Sequence, residues 1–110
     1  MRDVFHADPA DVTLAAAMHG LSDPFRLRIV ALLARNGETE CSEIRRELGI
    51  SKSNTSHHFR ILRECGLLFR SHHGQQQSAR LRMDEFEARF PGLLGAVLDN
   101  IESDQQEAGA

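Results

Sequence analysis

The sequence has no apolar run approaching the ~18 residues that a membrane-spanning helix needs, so none is expected. Its opening stretch, MRDVFHADPAD, is acidic and holds no apolar segment, and a secretory signal is not expected either. Cysteine is scarce, with 2 in 110 residues. Without an export signal, that points to the reducing cytoplasm and free thiols, although the sequence leaves a Cys41–Cys65 disulfide open. Internal repeats are absent, and no linker divides the chain. One domain spanning residues 1–110 is therefore expected, with polar, frayed tails at 1–7 and 103–110. Also missing are a nucleophile–base–acid set, a phosphate-binding glycine loop and paired carboxylates, which argues against an enzyme and against any cofactor. Cys41 lies beside Glu40 and Glu43, and negative neighbours raise a thiol's pKa.

What is present is an uneven distribution of charge. The total is −3, but residues 45–82 carry eight basic and two acidic side chains. The stretches before and after, 1–44 and 83–110, are each net acidic. A basic middle matters more to a polyanion than the total does. The alternative is a solvated positive face with no ligand.

Helix signals punctuate the chain. Asp8-Pro9 provides an N-cap oxygen and a proline where no amide hydrogen is needed, predicting a helix to about His19-Gly20. Asp23-Pro24 repeats the device before Phe25, Leu27, Ile29, Val30, Leu32 and Leu33, and Asn36-Gly37 closes that helix. A short helix follows over Cys41–Leu48, with Ile44 and Leu48 on one face. Gly49 ends it, Ile50 plugs the turn, and Ser51 caps a helix from Lys52 to about Cys65. Strand signals begin at Leu67-Leu68-Phe69 and return in Ala79-Arg80-Leu81-Arg82-Met83, apolar inward and basic outward. The tip between them is His73-Gly74-Gln75-Gln76-Gln77. A last helical stretch from Phe86 to Ile101 is divided, or restarted, at Pro91. The fold class is mainly α with a small β-hairpin. A helix-turn-helix at 41–65 followed by a wing at 67–83 describes a winged helix-turn-helix.

The stretch SKSNTSHHFRILRECGLL, Ser51 to Leu68, decides between two chemistries. At about 100° per residue, Thr55, Phe59 and Leu62 share one helix face, with His58 close to it. Ser53, His57, Arg60 and Glu64 lie opposite, flanked by Asn54 and Ser56. A single metal ion held by His57, His58 and Cys65 would have to bridge roughly 10–12 Å along the axis, far beyond ligand reach. His72 and His73, on a strand, point to opposite faces. No metal site is expected. DNA suits the exposed face better: Ser53, Asn54 and His57 present donors and acceptors to base edges. Lys52, Ser56 and Arg60, with Arg70, Gln75, Arg80 and Arg82 of the wing, reach the phosphate backbone.

Two stretches carry a resemblance to a known family: LSDPFRLRIVALL (Leu21–Leu33) and SEIRRELGISKSNTSHHFRILRECGLL (Ser42–Leu68). Together with the wing that follows, they resemble the ArsR family of small bacterial winged-helix repressors, whose patterns read "DPxRLxIL" and "LGxSxSxxSxHLxxLxxxGLV". The resemblance runs from Leu21 to Met83, and the family's histidine falls on His58. It implies a homodimeric repressor on an inverted repeat, with its first and last helices forming the dimer interface. Leu14, Met18, Leu94, Val97, Leu98 and Ile101 are the candidates here.

The family's metal and redox motifs do not carry over. Where members have CxC, this chain reads Glu40-Cys41-Ser42, and its last helix has neither histidine nor cysteine. His6 and His19 near the first helix are open to a non-standard site, and no effector is assigned. A winged-helix sensor or protein-docking module that does not bind DNA specifically is the alternative reading. The basic recognition face weighs against it.

Overall fold

The computed structural model describes residues 4–108, with side chains as far as Ile101. Expectations for residues 1–3, for the side chains beyond Ile101 and for residues 109–110 lie outside the described residues. The elements run α1 (Leu14–Gly20), α2 (Pro24–Asn36), β1 (Thr39–Glu40), α3 (Cys41–Leu48), α4 (Lys52–Glu64), β2 (Leu68–His73), β3 (Gln76–Leu81), α5 (Met83–Arg89) and α6 (Leu93–Ala108). The tail expected from residue 103 has its backbone in α6 as far as Ala108.

The helix expected from Pro9 is two pieces. Asp8 does cap, accepting from the Ala10 amide at 3.0 Å, but the result is a single 3-10 turn over Pro9–Asp11. Val12 then takes an extended conformation at φ −83°, ψ 133°, and Thr13 caps α1 by accepting from the Ala16 amide at 3.1 Å. A β-branched residue followed by a second capping hydroxyl favours a restart over continuation. The other caps follow expectation. Asp23 accepts from the amides of Phe25 and Arg26 at 2.8 and 3.1 Å, and Ser51 from that of Asn54 at 3.1 Å. Gly49 takes the left-handed conformation, φ 65°, that ends α3. Pro91 lies in the break between α5 and α6.

The strands form an antiparallel sheet in the order β1-β3-β2. The hairpin was expected and β1 was not. Thr39 pairs with Ala79 and Glu40 with Ser78, so the segment leading into α3 braces the inner edge of the wing. Cross-strand pairs run from Leu68↔Leu81 to His73↔Gln76 and close through Gly74 at φ 65°. The alternation expected through Met83 stops at Leu81, because Arg82 caps α5 and Met83 begins it.

One core joins these parts. Ile29 and Val30 of α2, Ile44 of α3, Leu62 of α4, Leu67, Leu68 and Phe86 are fully buried. Val4–Ala7, expected within the frayed tail at 1–7, instead packs against the end of α4 and the base of the wing. The Ala7 amide donates to the Arg63 carbonyl at 3.1 Å.

Gly20 meets Cys65 where α1 passes the end of α4. A Cβ built on Gly20 would lie 2.5 Å from the Cys65 Sγ, inside van der Waals contact. Gly20→Ala is expected to destabilise the fold by about 1–3 kcal/mol, as overpacked cores do, and by clearly less in a Cys65→Ala background. Urea unfolding of the four proteins of that cycle measures the difference; equal losses in both backgrounds would place the strain elsewhere.

Candidate nucleic-acid interface

Helix α4 has one buried face and one exposed face. Thr55 and Phe59, each 2% exposed, and Leu62, fully buried, form the seat. The Thr55 hydroxyl donates to the Ser51 carbonyl at 2.8 Å, so even the polar member of the seat is satisfied. Lys52, Ser53, Asn54, Ser56, His57, Arg60 and Glu64 are all exposed, as the helical wheel predicts.

A buried guanidinium sets the height and rotation of the helix. Arg26 Nε donates to the Gly20 carbonyl at 2.8 Å and one terminal nitrogen to the His19 carbonyl at 3.1 Å, both at the end of α1. The other terminal nitrogen lies 3.2 Å from His58 Nδ1. A guanidinium only donates, so Nδ1 is the acceptor and the His58 proton sits on Nε2. Burial lowers the His58 pKa; Asp23, 3.9 Å away, pulls it back up, and Arg26 and His57 lower it again. His58 is 8% exposed, more buried than the half-buried position expected of it. Arg26 had been read only as a letter of the motif. Its place one turn before Ile29 and Val30, on the buried side of α2, was the signal that it has a buried partner.

The exposed face continues into an open groove between α4 and β2. Lys52, Ser53, Ser56, His57, Arg60 and Arg70 line it, together with Arg63, and among the described residues no carboxylate does. Sequence reasoning missed Arg63. It is 9% exposed, and its Nε donates to the Phe5 carbonyl at 3.0 Å. Its position one turn beyond Arg60 could have signalled it. On the wing, Gln75 is exposed at the tip and Arg80 lies 4.7 Å over the Phe69 ring. The Arg70 guanidinium hydrogen-bonds Gln77.

Arg82 requires a correction. Its guanidinium donates to the Ala7 carbonyl at 2.7 Å and to both oxygens of Glu85, at 3.3 and 2.6 Å, with the side chain 12% exposed. Beyond the end of β3, the strand alternation no longer directs it outward. It is a strut for Val4–Asp8 rather than a free phosphate contact.

The candidate dimer residues separate into two groups. Leu14 and Met18 are 56% and 53% exposed on α1. Val97 and Leu98 are partly buried, whereas Leu94 and Ile101 pack into the chain's own interior at 2% and 6% exposed. An apolar groove lined by Met18, Leu21, Leu27, Leu93, Val97 and Ile101 runs between α1, α2 and α6.

Both cysteines are buried and free. Burial pushes the Cys65 thiol up to about 11, with weaker opposing pulls from backbone hydrogen bonds. It also raises Cys41, against the pull of Arg70 and Arg45, so desolvation rather than Glu40 and Glu43 is the cause there. Among the described residues, no three His, Cys, Asp or Glu side chains gather closely enough to hold a metal ion.

Residues 23–68, from the cap of α2 to the first residue of β2, match the family model described as "Bacterial regulatory protein, arsR family". YceK of Bacillus subtilis (strain 168), named as an uncharacterized HTH-type transcriptional regulator, is 35% identical over 85 residues, covering 76% of this chain and 85% of YceK. The chain belongs to the ArsR family. It is therefore a DNA-binding transcriptional regulator and not an enzyme. Solved structures agree with the fold. The transcriptional repressor BigR from Xylella fastidiosa matches with a TM-score of 0.63 at 30% identity, over 76% of this chain and 81% of BigR. A Mycobacterium bovis protein, Mb0332, described as a homodimeric winged helix-turn-helix DNA-binding domain, matches with a TM-score of 0.67 at 23% identity, over 88% and 83%. In this ArsR-family chain, the motif's arginine and histidine are the two ends of the Arg26–His58 bridge.

His58 must lose its bond to Arg26 when protonated. Its depressed pKa means that the unfolded chain binds that proton more readily. The bridge's stabilisation is therefore full above the ordinary imidazole pKa of about 6.5 and is lost progressively as pH falls below it. His58→Asn keeps an acceptor near the Nδ1 position without titrating. Thermal melts between about pH 5 and pH 8 should show a shallower acid loss in the variant; parallel curves would mean that His58 does not titrate with folding.

Proposed function

We propose that the chain is a homodimeric repressor that reads an inverted-repeat operator with α4 and grips the flanking backbone with the wing, in the cytoplasm. The observation that carries this reading is the exposed strip on α4, from Lys52 to Arg60, opposite a fully seated face and continuous with a groove that no carboxylate lines among the described residues. Ser53, Asn54 and His57 are assigned to base edges, and Lys52, Ser56, Arg60, Arg70, Gln75 and Arg80 to phosphates. The open N-terminus of α4 adds its dipole to the attraction for phosphate.

Dimerisation is supported by two features. BigR is named a repressor and Mb0332 a homodimer, and α1 exposes Leu14 and Met18 beside the apolar groove formed with α6. Large exposed apolar side chains flanking an apolar groove are costly in a lone molecule. A second copy would cover them, with Val97 and Leu98 at the margin. It would also set two recognition helices roughly 34 Å apart, one turn of duplex. Leu94 and Ile101 support the interface from within their own subunit.

Base and phosphate contacts are separable experimentally. His57→Ala and Asn54→Ala are expected to cut discrimination between the selected operator and random duplex by about 1–3 kcal/mol each. Arg60→Ala should weaken binding to both duplexes alike and lower the salt dependence by about one phosphate contact. Binding measured across a salt series distinguishes the two; equal losses on both duplexes for all three variants would overturn the assignment. Met18→Glu places a charge in the proposed interface. It should shift the chain to a monomer in sedimentation and weaken operator binding by at least about tenfold, because half the site is lost. A variant that remains dimeric would move the interface elsewhere.

A further inference from the structure

The strap Val4–Asp8 lies across the seam between the recognition helix and the wing, held by bonds to both. The Ala7 amide donates to the Arg63 carbonyl at 3.1 Å, Arg63 Nε to the Phe5 carbonyl at 3.0 Å, and Arg82 to the Ala7 carbonyl at 2.7 Å. Pro9 packs against Gly66, where a Cβ would stand 3.1 Å from the Pro9 Cα. The central contact belongs to His6. Strand β2 is an outer strand of the sheet, and the Arg70 amide on it donates to His6 Nε2 at 3.0 Å. The His6 ring stacks on Phe69, with centroids 4.4 Å apart and planes inclined by 16°.

That geometry fixes the protonation state. A backbone amide only donates, so Nε2 must carry a lone pair and the ring must be neutral. A proton on Nε2 would oppose one N–H to another. It would also add a cation among Arg63 of α4, Arg70 of β2 and Arg82 at the start of α5, with Arg80 over the same Phe69 ring. Arg82 is itself paired with Glu85. Burial, then Arg63 and Arg82, lower the His6 pKa, a hydrogen bond with the Val4 backbone raises it, and Arg70 lowers it further.

We propose that His6 is a positioning residue for DNA binding: its neutral ring, by accepting the Arg70 amide, holds the wing against the end of the recognition helix, and protonation of the ring releases the wing and weakens the grip on DNA. The proposal rests on the DNA-binding reading above. Arg70 connects the two, since its amide is latched by His6 while its side chain lines the groove beside α4.

The test has one arm without DNA and one with it. In the free chain, NMR follows the His6 ring and the hydrogen-exchange protection of the Arg70 amide. His6 should titrate below the ordinary imidazole pKa of about 6.5, and protection should fall about tenfold with the same midpoint. In His6→Gln, whose amide oxygen accepts without titrating, protection should stay flat. In the second arm, wild-type affinity for its operator should fall about five- to tenfold more than that of His6→Gln between about pH 7.5 and pH 5.5. His6→Ala should bind weakly at both. Arg70 protection that is unchanged while His6 titrates, or identical pH profiles for wild type and His6→Gln with binding intact, would overturn the role of His6 alone. Failure of all three proteins to bind any duplex would overturn the DNA reading beneath it.

Discussion

A single buried guanidinium determines how the recognition surface sits on the rest of the molecule. Arg26 projects from the first turn of α2 and binds the last carbonyls of α1 on one side and the His58 imidazole of α4 on the other. A charge 5% exposed is costly to desolvate unless its hydrogen-bonding capacity is used, and here it makes three bonds in a planar fork. A lysine could not reproduce that geometry, because its ammonium is a point donor on a flexible stem. Three helices meet at one residue, so α4 cannot rotate without straining the His58 bond to the guanidinium that also holds the end of α1. The helix assigned to DNA and the helix assigned to the subunit contact thus share a link of two side chains.

Around that link, the basic residues divide by what holds them. Lys52 and Arg60 stand free on the exposed face of α4, where a polyanion meets them without rearrangement. Arg63, Arg70 and Arg82 are occupied at least in part, by Phe5, Gln77, Ala7 and Glu85. The Arg63 and Arg82 guanidiniums brace the seam between helix and wing, and that of Arg70 ties the two strands of the wing. Net charge in the middle of the chain therefore overstates the number of cations free to neutralise phosphate, because some of that charge is spent on holding the surface together.

The sequence made the local devices legible. Asp23-Pro24, Ser51 and Gly49 are short-range signals, and each acts within a few residues of its position. The α4 wheel was equally readable, since one apolar stripe fixes which side chains face outward. Features made by distant partners were not. β1 is two residues long, too short for any period, and exists because β3 offers it an edge. Val4–Ala7 reads as a frayed tail because its bonds reach to Arg63, Arg70 and Arg82, far along the chain. Arg82 appeared to continue the outward series of β3 until α5 began beneath it. Leu94 and Ile101 belong to an apolar stripe that pattern alone could not divide between a subunit's own core and a partner.

The Gly20–Cys65 contact has a kinetic consequence. The sulfur is 3% exposed, its thiolate is disfavoured, and α1 passes over it with no side chain in between. An alkylating or oxidising reagent therefore reaches Cys65 only when the structure around it opens, and α1 is one of its covers. Since the same helix ends in the carbonyls that hold Arg26, an opening that lifts α1 from that sulfur also frees the anchor of α4. The rate of modification at Cys65 therefore sets an upper limit on how often that anchor is lost.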